Sequence, residues 1–219
     1  MLDAIILAGT PRKVKHLIRG KHKFFTEVNN NYLGNLVVDA LTKSSVIKSI
    51  YIIGNKSELE KIVSGEKVRK IIQEKGSFFA NAIGAFHHLD DSDHPDKQVL
   101  YVSCDIPFLT PTAIDECVRN APQADFIMPY CLKEDFKTLF PKFEWPFLIC
   151  REGEIKLGNI ALAKPNKVKN KKLFDRFFDL RKVSLSKDRI EELVNIPPIV
   201  FEALRLSGKE GVEIVSREF

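Results

Sequence analysis

Short apolar runs and amphipathic stretches alternate along the first 130 residues. "DAIILA" (3–8), "SIYIIG" (49–54), "VRKII" (68–72), "QVLYVSC" (98–104) and "ADFIMPY" (124–130) are apolar and rich in β-formers, which predicts strands. Between them, "LGNLVVDALTKS" (33–44), "KSELEKIVSG" (56–65), "SFFANAIGAFHHL" (77–89) and "PTAIDECVRN" (111–120) place apolar residues three and four apart, which predicts amphipathic helices. Strand alternating with helix is the pattern of βαβ units. The expected fold class is therefore α/β: a three-layer α/β/α, Rossmann-like arrangement with a mostly parallel sheet covered on both faces.

After Tyr130 the rhythm changes. "WPFLICREGEIKLGNIALAKP" (145–165) predicts two strands about a Glu-Gly turn, a C-terminal β-hairpin. "KKLFDRFFDLRK" (171–182) and "DRIEELV" (188–194) predict helices beyond it. The chain is expected to form a single domain over 1–219, with a core over 1–165 and a helical extension over 166–219. Neither repeats nor low-complexity segments interrupt it.

Composition narrows the class. With 219 residues, 44% of them hydrophobic, one domain can bury a real core. The longest apolar runs fall far short of a bilayer span and lack signal-peptide flanks, so a soluble, cytoplasmic protein is expected. Cys104, Cys117, Cys131 and Cys150 show no CxxC pair and no zinc-ligand spacing, and read as four buried thiols. The net charge of +5 is unevenly placed. Six Lys/Arg and no acid lie between Arg12 and Lys23, and ten Lys/Arg against three Asp lie between Lys164 and Arg189. Outside these two stretches acids exceed cations by 26 to 18, so each basic stretch is a candidate for meeting an anion. For the second stretch the alternative is the solvated face of helices.

In open α/β sheets ligands bind beyond the carboxyl ends of the strands, so the segments that follow each strand carry the chemistry. After the first strand, "LAGTPRKVKHLIRGKHKFF" (7–25) combines a Gly that lets a ligand approach the main chain with cations that no local acid neutralises. That combination suits a polyphosphate. The spacing excludes a Walker P-loop, because Gly9 and Gly20-Lys21 are too far apart and His22 stands where Ser or Thr is required. A GxGxxG dinucleotide fingerprint is absent. After the third strand come Gly76 and Ser77, with Asn81 one turn on. Ser77 is a candidate helix N-cap, and contact with a base is the alternative role for this turn.

After the fourth strand, "YVSCDIPFLT" (101–110) delivers Asp105 at the point where a buried strand emerges and Pro107 stops the ladder. A carboxylate there is costly to desolvate without a cation or strong donors. A magnesium ion bridging phosphates is one such partner, and capping of its own turn is the other. Gly158-Asn159, inside an otherwise good strand, reads as a bulge or a close ligand approach, and Asn159 is a candidate second oxygen donor to the same metal. "HHLDDSDH" (87–94) precedes the fourth strand and so falls on the opposite edge of the sheet, where a solvated loop is expected. Trp145 and the phenylalanines around it read as core or hairpin packing in preference to a base-stacking platform.

Taken together these stretches resemble the nucleotidyltransferase superfamily with the glycosyltransferase-A-like fold, in the branch of the molybdenum cofactor guanylyltransferase. The family's "LAGG" is matched by "LAGT", its loop Arg and Lys by Arg19-Gly20 and Lys23, and its "CDxPFL" by "CDIPFLT", over roughly Leu2 to Pro165. The resemblance implies Asp105 as a ligand of Mg²⁺, Asn159 as a second ligand, and Lys23 on the phosphates. Arg19 takes the place of the family's loop Arg, with Arg12 as the alternative. The backbone of Leu7, Ala8, Gly9 and Thr10 is implied to lie against the nucleotide.

The implied reaction moves an NMP from an NTP to a phosphate-bearing acceptor and releases pyrophosphate. Thr10 departs from the family, because a β-branched residue resists the positive φ that the second Gly permits. It motivates a rival reading as a catalytically impaired, nucleotide-binding or regulatory protein. A second rival is an anionic-polymer binder acting through residues 164–189, although nucleic acid is not an expected partner. The base and the acceptor are not named by the sequence, and a homo-oligomer is left open.

Overall fold

A computed structural model describes residues 1–9, 22–143, 147–150 and 153–167. In chain order, β1 (Leu2–Ala8) is followed by a short 3-10 turn (Lys23–Phe25) and a two-stranded ribbon of β2 (Glu27–Val28) and β3 (Asn31–Tyr32). Then come α1 (Leu33–Lys43), β4 (Ile47–Gly54), α2 (Lys56–Leu59), β5 (Val68–Gln73), α3 (Phe78–Phe86), β6 (Val99–Ser103) and α4 (Pro111–Arg119). The remainder is β7 (Phe126–Ile127), β8 (Tyr130–Leu132), α5 (Lys133–Leu139), β9 (Leu148–Cys150), β10 (Gly153–Leu157), β11 (Ile160–Ala163) and a 3-10 turn at Pro165–Lys167. The helices read at 171–182 and 188–194, and Trp145, lie outside the described residues.

The main sheet has the order β5-β4-β1-β6-β11-β7. Its first four strands are mutually parallel, and β11 runs antiparallel to both β6 and β7. The continuous apolar reading of β1 follows from its central place: Ala4, Ile5 and Ile6 are all fully buried. Successive side chains alternate between two cores, as the period of a strand requires. Ala4, Ile6, Ile50 and Ile52 pack with Val37, Val38 and Leu41 of α1 and Ile114 of α4, whereas Ile5, Tyr51 and Ile53 pack with Ala85 and Phe86 of α3.

Three local readings change in the fold. The stretch 56–65 forms only one helical turn with looser turns behind it, since Leu59 is its single fully buried anchor and a nucleus that short gains little. The run 124–130 divides into β7, which joins the main sheet, and β8, which joins a second sheet of order β8-β10-β9. Likewise 153–163 divides at Gly158-Asn159, so β10 serves the small sheet and β11 the large one. Gly158 is therefore a crossover between sheets and not a bulge. Its N–H donates to the Pro129 carbonyl at 2.7 Å, and a Cβ there would lie 2.9 Å from that oxygen. The thiols are also less uniformly buried than expected: Cys104 is buried, whereas Cys117 and Cys131 are half-buried.

At the opposite edge from the β1 carboxyl end, Asp3 is only 4% exposed. Its carboxylate is met by the Lys97 ammonium at 2.7 Å, which ties the start of β1 to the segment leading into β6. Removing one member of such a pair strands a buried charge. Lys97→Met is accordingly expected to lower unfolding stability by about 3 kcal/mol in urea titrations, and Asp3→Asn in the same chain to restore part of the loss.

Candidate functional site

The carboxyl ends of β1, β4, β5 and β6 lie along one edge. Ala8 is opposite Gly54, Gly54 opposite Gln73, and Leu7 opposite Ser103. β11 starts at this same edge, where the Ser103 N–H donates to the Asn159 carbonyl at 2.9 Å. The fold thus gathers Gly9, the 74–81 segment, Asp105 and Asn159 on one rim, which is where a ligand site in such a sheet belongs.

Asp105 is half-buried, and both its oxygens are engaged. The Lys23 ammonium, 82 residues away in sequence, donates to Oδ2 at 2.6 Å, and the Ser103 hydroxyl donates to Oδ1. Burial pushes this carboxyl up, but the bonds from Lys23 and Ser103 and the ammonium's charge outweigh it. The group is held below its ordinary range and stays ionised. The capping of its own turn considered from the sequence is not the main engagement of this side chain. Cys104 next to it is buried, and its thiol is pushed up to about 12 by desolvation, so it is no nucleophile.

Lys23 is aimed by packing. It opens the 3-10 turn whose next residue, Phe24, is fully buried against α1. A Cβ at Gly34 would fall 2.2 Å from the Phe24 ring, so the ring sits where only a glycine leaves room. His22 precedes Lys23, and its role was not evident in the sequence. Its Nδ1 accepts from the Phe24 N–H at 3.3 Å, and the ring also hydrogen-bonds to the Gly9 main chain. Burial lowers the His22 pKa, outweighing the Gly9 bond and the charge of Glu74 that raise it, so a neutral ring bridges the two ends of the β1 loop.

Gly9 is packed as closely. A Cβ there would lie 2.4 Å from Asn81 Nδ2 and 3.2 Å from Glu74 Oε2. Asn81 is 6% exposed, and its Oδ1 accepts from the Lys75 N–H at 2.6 Å. This side chain therefore locks the turn after β5 against the turn after β1. Ser77 is the N-cap of α3, with its hydroxyl accepting from the Ala80 N–H at 3.1 Å, and Gly76 before it has φ +98°. Leu7 and Ala8 are held in the β1 ladder. Thr10, Arg12 and Arg19 lie outside the described residues, as does most of the basic stretch 164–189. The 87–94 loop lies at the opposite edge, ahead of β6.

The donor set at the rim fits a magnesium ion. Asp105 supplies an ionised carboxylate that already attracts one cation, and the exposed Asn159 stands on the neighbouring strand end with an amide oxygen to offer. Among the described residues no three His, Cys, Asp or Glu converge, so an ion here would take one carboxylate and draw its other oxygens from phosphates and water, as Mg²⁺ does.

A family model described as "MobA-like NTP transferase domain" matches residues 4–166. Among solved structures the chain is similar to a hypothetical transferase from Thermus thermophilus, at 22% identity and TM-score 0.60 over 94% of this chain and 78% of that one. It is also similar to 2-C-methyl-D-erythritol 4-phosphate cytidylyltransferase from Francisella tularensis, at 11% identity and TM-score 0.56 over 99% and 95% of the two chains. A third similar structure is CMP:2-keto-3-deoxy-manno-octonic acid synthetase complexed with CTP, at 10% identity and TM-score 0.54 over 82% and 83%. At these identities the likeness is one of fold. No curated protein matches the chain.

Two outcomes follow from the geometry. In Lys23→Met the Asp105 carboxyl loses its largest pKa-lowering partner and keeps both the Ser103 bond that lowers it and the burial that raises it, so NMR titration should find its midpoint higher than in the parent chain. In the parent chain Asp105 adds stability above the unfolded-state midpoint, and this is lost as pH falls through the depressed folded-state midpoint. In the variant that loss on acidification should be smaller, because the donor chiefly responsible for it is gone. Separately, Gly9→Ala should cost about 1–3 kcal/mol through its clash with Asn81. Combining it with Asn81→Ala should cost less than the sum of the two, as measured by a double-mutant cycle.

Proposed function

The chain belongs to the MobA-like NTP transferase domain family and is a nucleotidyltransferase; from that premise we propose how its rim of strand ends works. An NTP lies with its triphosphate between the Gly9 turn and the Lys23–Asp105 pair. An NMP is transferred to a phosphate-bearing small-molecule acceptor in the cytoplasm, and Asp105 and Asn159 are the residues that would hold Mg²⁺. The observation that carries this reading is the 2.6 Å contact between Lys23 and Asp105, which joins a cation for phosphate to a carboxylate for metal at one point of the rim.

The acceptor's phosphate oxygen attacks the α-phosphorus while the bond from that phosphorus to the bridging oxygen breaks, and the electron pair leaves with pyrophosphate. A phosphate anion needs no proton removed, so no general base is called for. Lys23, its side chain 42% exposed, is free to turn its ammonium from Asp105 to the phosphate oxygens as charge develops there. Ser103 keeps the Asp105 carboxylate oriented through its other oxygen. When bound, Mg²⁺ supplies the positive charge that phosphate oxygens and leaving pyrophosphate require. Gly9 lets the nucleotide approach the main chain, while His22 and Asn81 fix that turn beforehand.

The test is pyrophosphate release from each of the four NTPs with Mg²⁺ and candidate phosphate acceptors. Asp105→Asn and Lys23→Met should each lower the rate by roughly 10²–10³-fold while leaving the circular dichroism spectrum intact. A variant at Asp105 retaining near-parental turnover would refute the assignment of the metal to that carboxylate.

A further inference from the structure

Asp105 is more fully engaged than an open metal ligand would be. The Lys23 ammonium donates to Oδ2 at 2.6 Å and the Ser103 hydroxyl donates to Oδ1, so each carboxylate oxygen already has a partner. The two partners differ in kind. Ser103 is a neutral donor on β6, and a carboxylate that accepts one such bond keeps lone pairs for a cation. Lys23 brings a full positive charge to the oxygen that a divalent ion would use. Among the described residues no second cation pairs with Asp105.

Packing holds the Lys23 main chain in place and leaves its side chain able to move. Phe24, next in the chain, is fully buried against α1, and His22 on the other side bonds to the Phe24 N–H and to the Gly9 main chain. The Lys23 side chain is 42% exposed, so its ammonium can leave the carboxylate without disturbing the core. The Gly9 turn is at hand to receive it, because His22 ties that turn to the residue before Lys23. One carboxylate does not neutralise an ammonium and a divalent ion side by side, and two cations at contact distance repel strongly in a half-buried setting.

We infer that Lys23 and a divalent ion are alternative occupants of the Asp105 carboxylate: with the ammonium seated the protein excludes the ion, and phosphates arriving at the Gly9 turn admit it by drawing Lys23 away. The inference rests on the function proposed above and adds an order to it. Nucleotide opens the metal ligand, and an ion without nucleotide finds it closed. Because coupling between two ligands is reciprocal, the ion in turn strengthens the hold on the nucleotide. The seated pair also spares the ligand-free protein an uncompensated, half-buried carboxylate.

Mn²⁺, which takes the same oxygen ligands as Mg²⁺, tests this through its broadening of amide signals in NMR spectra of the full chain. Without nucleotide, Lys23→Met should bind Mn²⁺ at least about tenfold more tightly than the parent, and adding Asp105→Asn should abolish the gain. Lys75→Met removes a cation whose side chain lies along Gly84 of α3, and it should change the affinity less than about twofold. In the parent, inorganic tripolyphosphate should broaden the signals of residues 103–106 at Mn²⁺ concentrations that leave them sharp without it. Equal affinity of parent and Lys23→Met, both through Asp105, overturns the inference and leaves that carboxylate standing as the metal ligand. A gain in Lys75→Met as large as in Lys23→Met, or signals that stay sharp with tripolyphosphate, overturns it as well. Mn²⁺ binding that survives Asp105→Asn in every state removes the metal assignment itself, and the inference with it. Should Lys23→Met fail to fold, Lys23→Gln keeps a donor for the carboxylate without the charge and gives the same comparison.

Discussion

The ion pair between Lys23 and Asp105 organises this site. It closes a contact between the loop after the first strand and the end of the fourth parallel strand, across 82 residues of sequence. Lys23 lies in a stretch without acids, and Asp105, at the end of a buried strand, finds only hydrogen-bond donors such as the Ser103 hydroxyl nearby in the chain and no cation. Each meets the other across the rim of the sheet. The depressed carboxyl pKa expresses this, since donors arranged around the charged form outweigh the burial that opposes it.

That pairing depends on two close approaches. Phe24 against Gly34 fixes where the turn bearing Lys23 sits on α1, and Asn81 against Gly9 fixes the turn after β1. His22 connects the two by bonding to both Phe24 and Gly9. The rim is therefore set by packing that reaches into both cores of the sheet, which is how a site on loops acquires the precision that phosphoryl chemistry requires.

The second sheet is built differently. Two apolar runs, 124–132 and 153–163, are each shared between the six-stranded and three-stranded sheets, and the switch in both occurs where Pro129 meets Gly158. Asn159 reaches the rim because β10 leaves the small sheet there and β11 enters the large one beside Ser103. The same strand carries the chain back to the far edge, where Lys164 and Lys167 meet acids.

The sequence by itself determined the α/β class, the four parallel strands and the helices α1, α3 and α4, because each has a continuous or periodic apolar pattern long enough to specify its own conformation. It also marked Asp105, Gly9 and the cation-rich stretch after it, since a charge at a buried strand's end and a glycine before unopposed cations are local anomalies visible without a fold, whereas Lys23 was singled out from that stretch by the family resemblance. Tertiary structure alone decided the rest. That Asn81 is a buried lock, that His22 bridges two turns and that Gly158 crosses between sheets depend on partners distant in sequence, and no local pattern encodes a distance. The short helix at 56–59 and the divided strands were set the same way, by how many apolar positions found a core to enter.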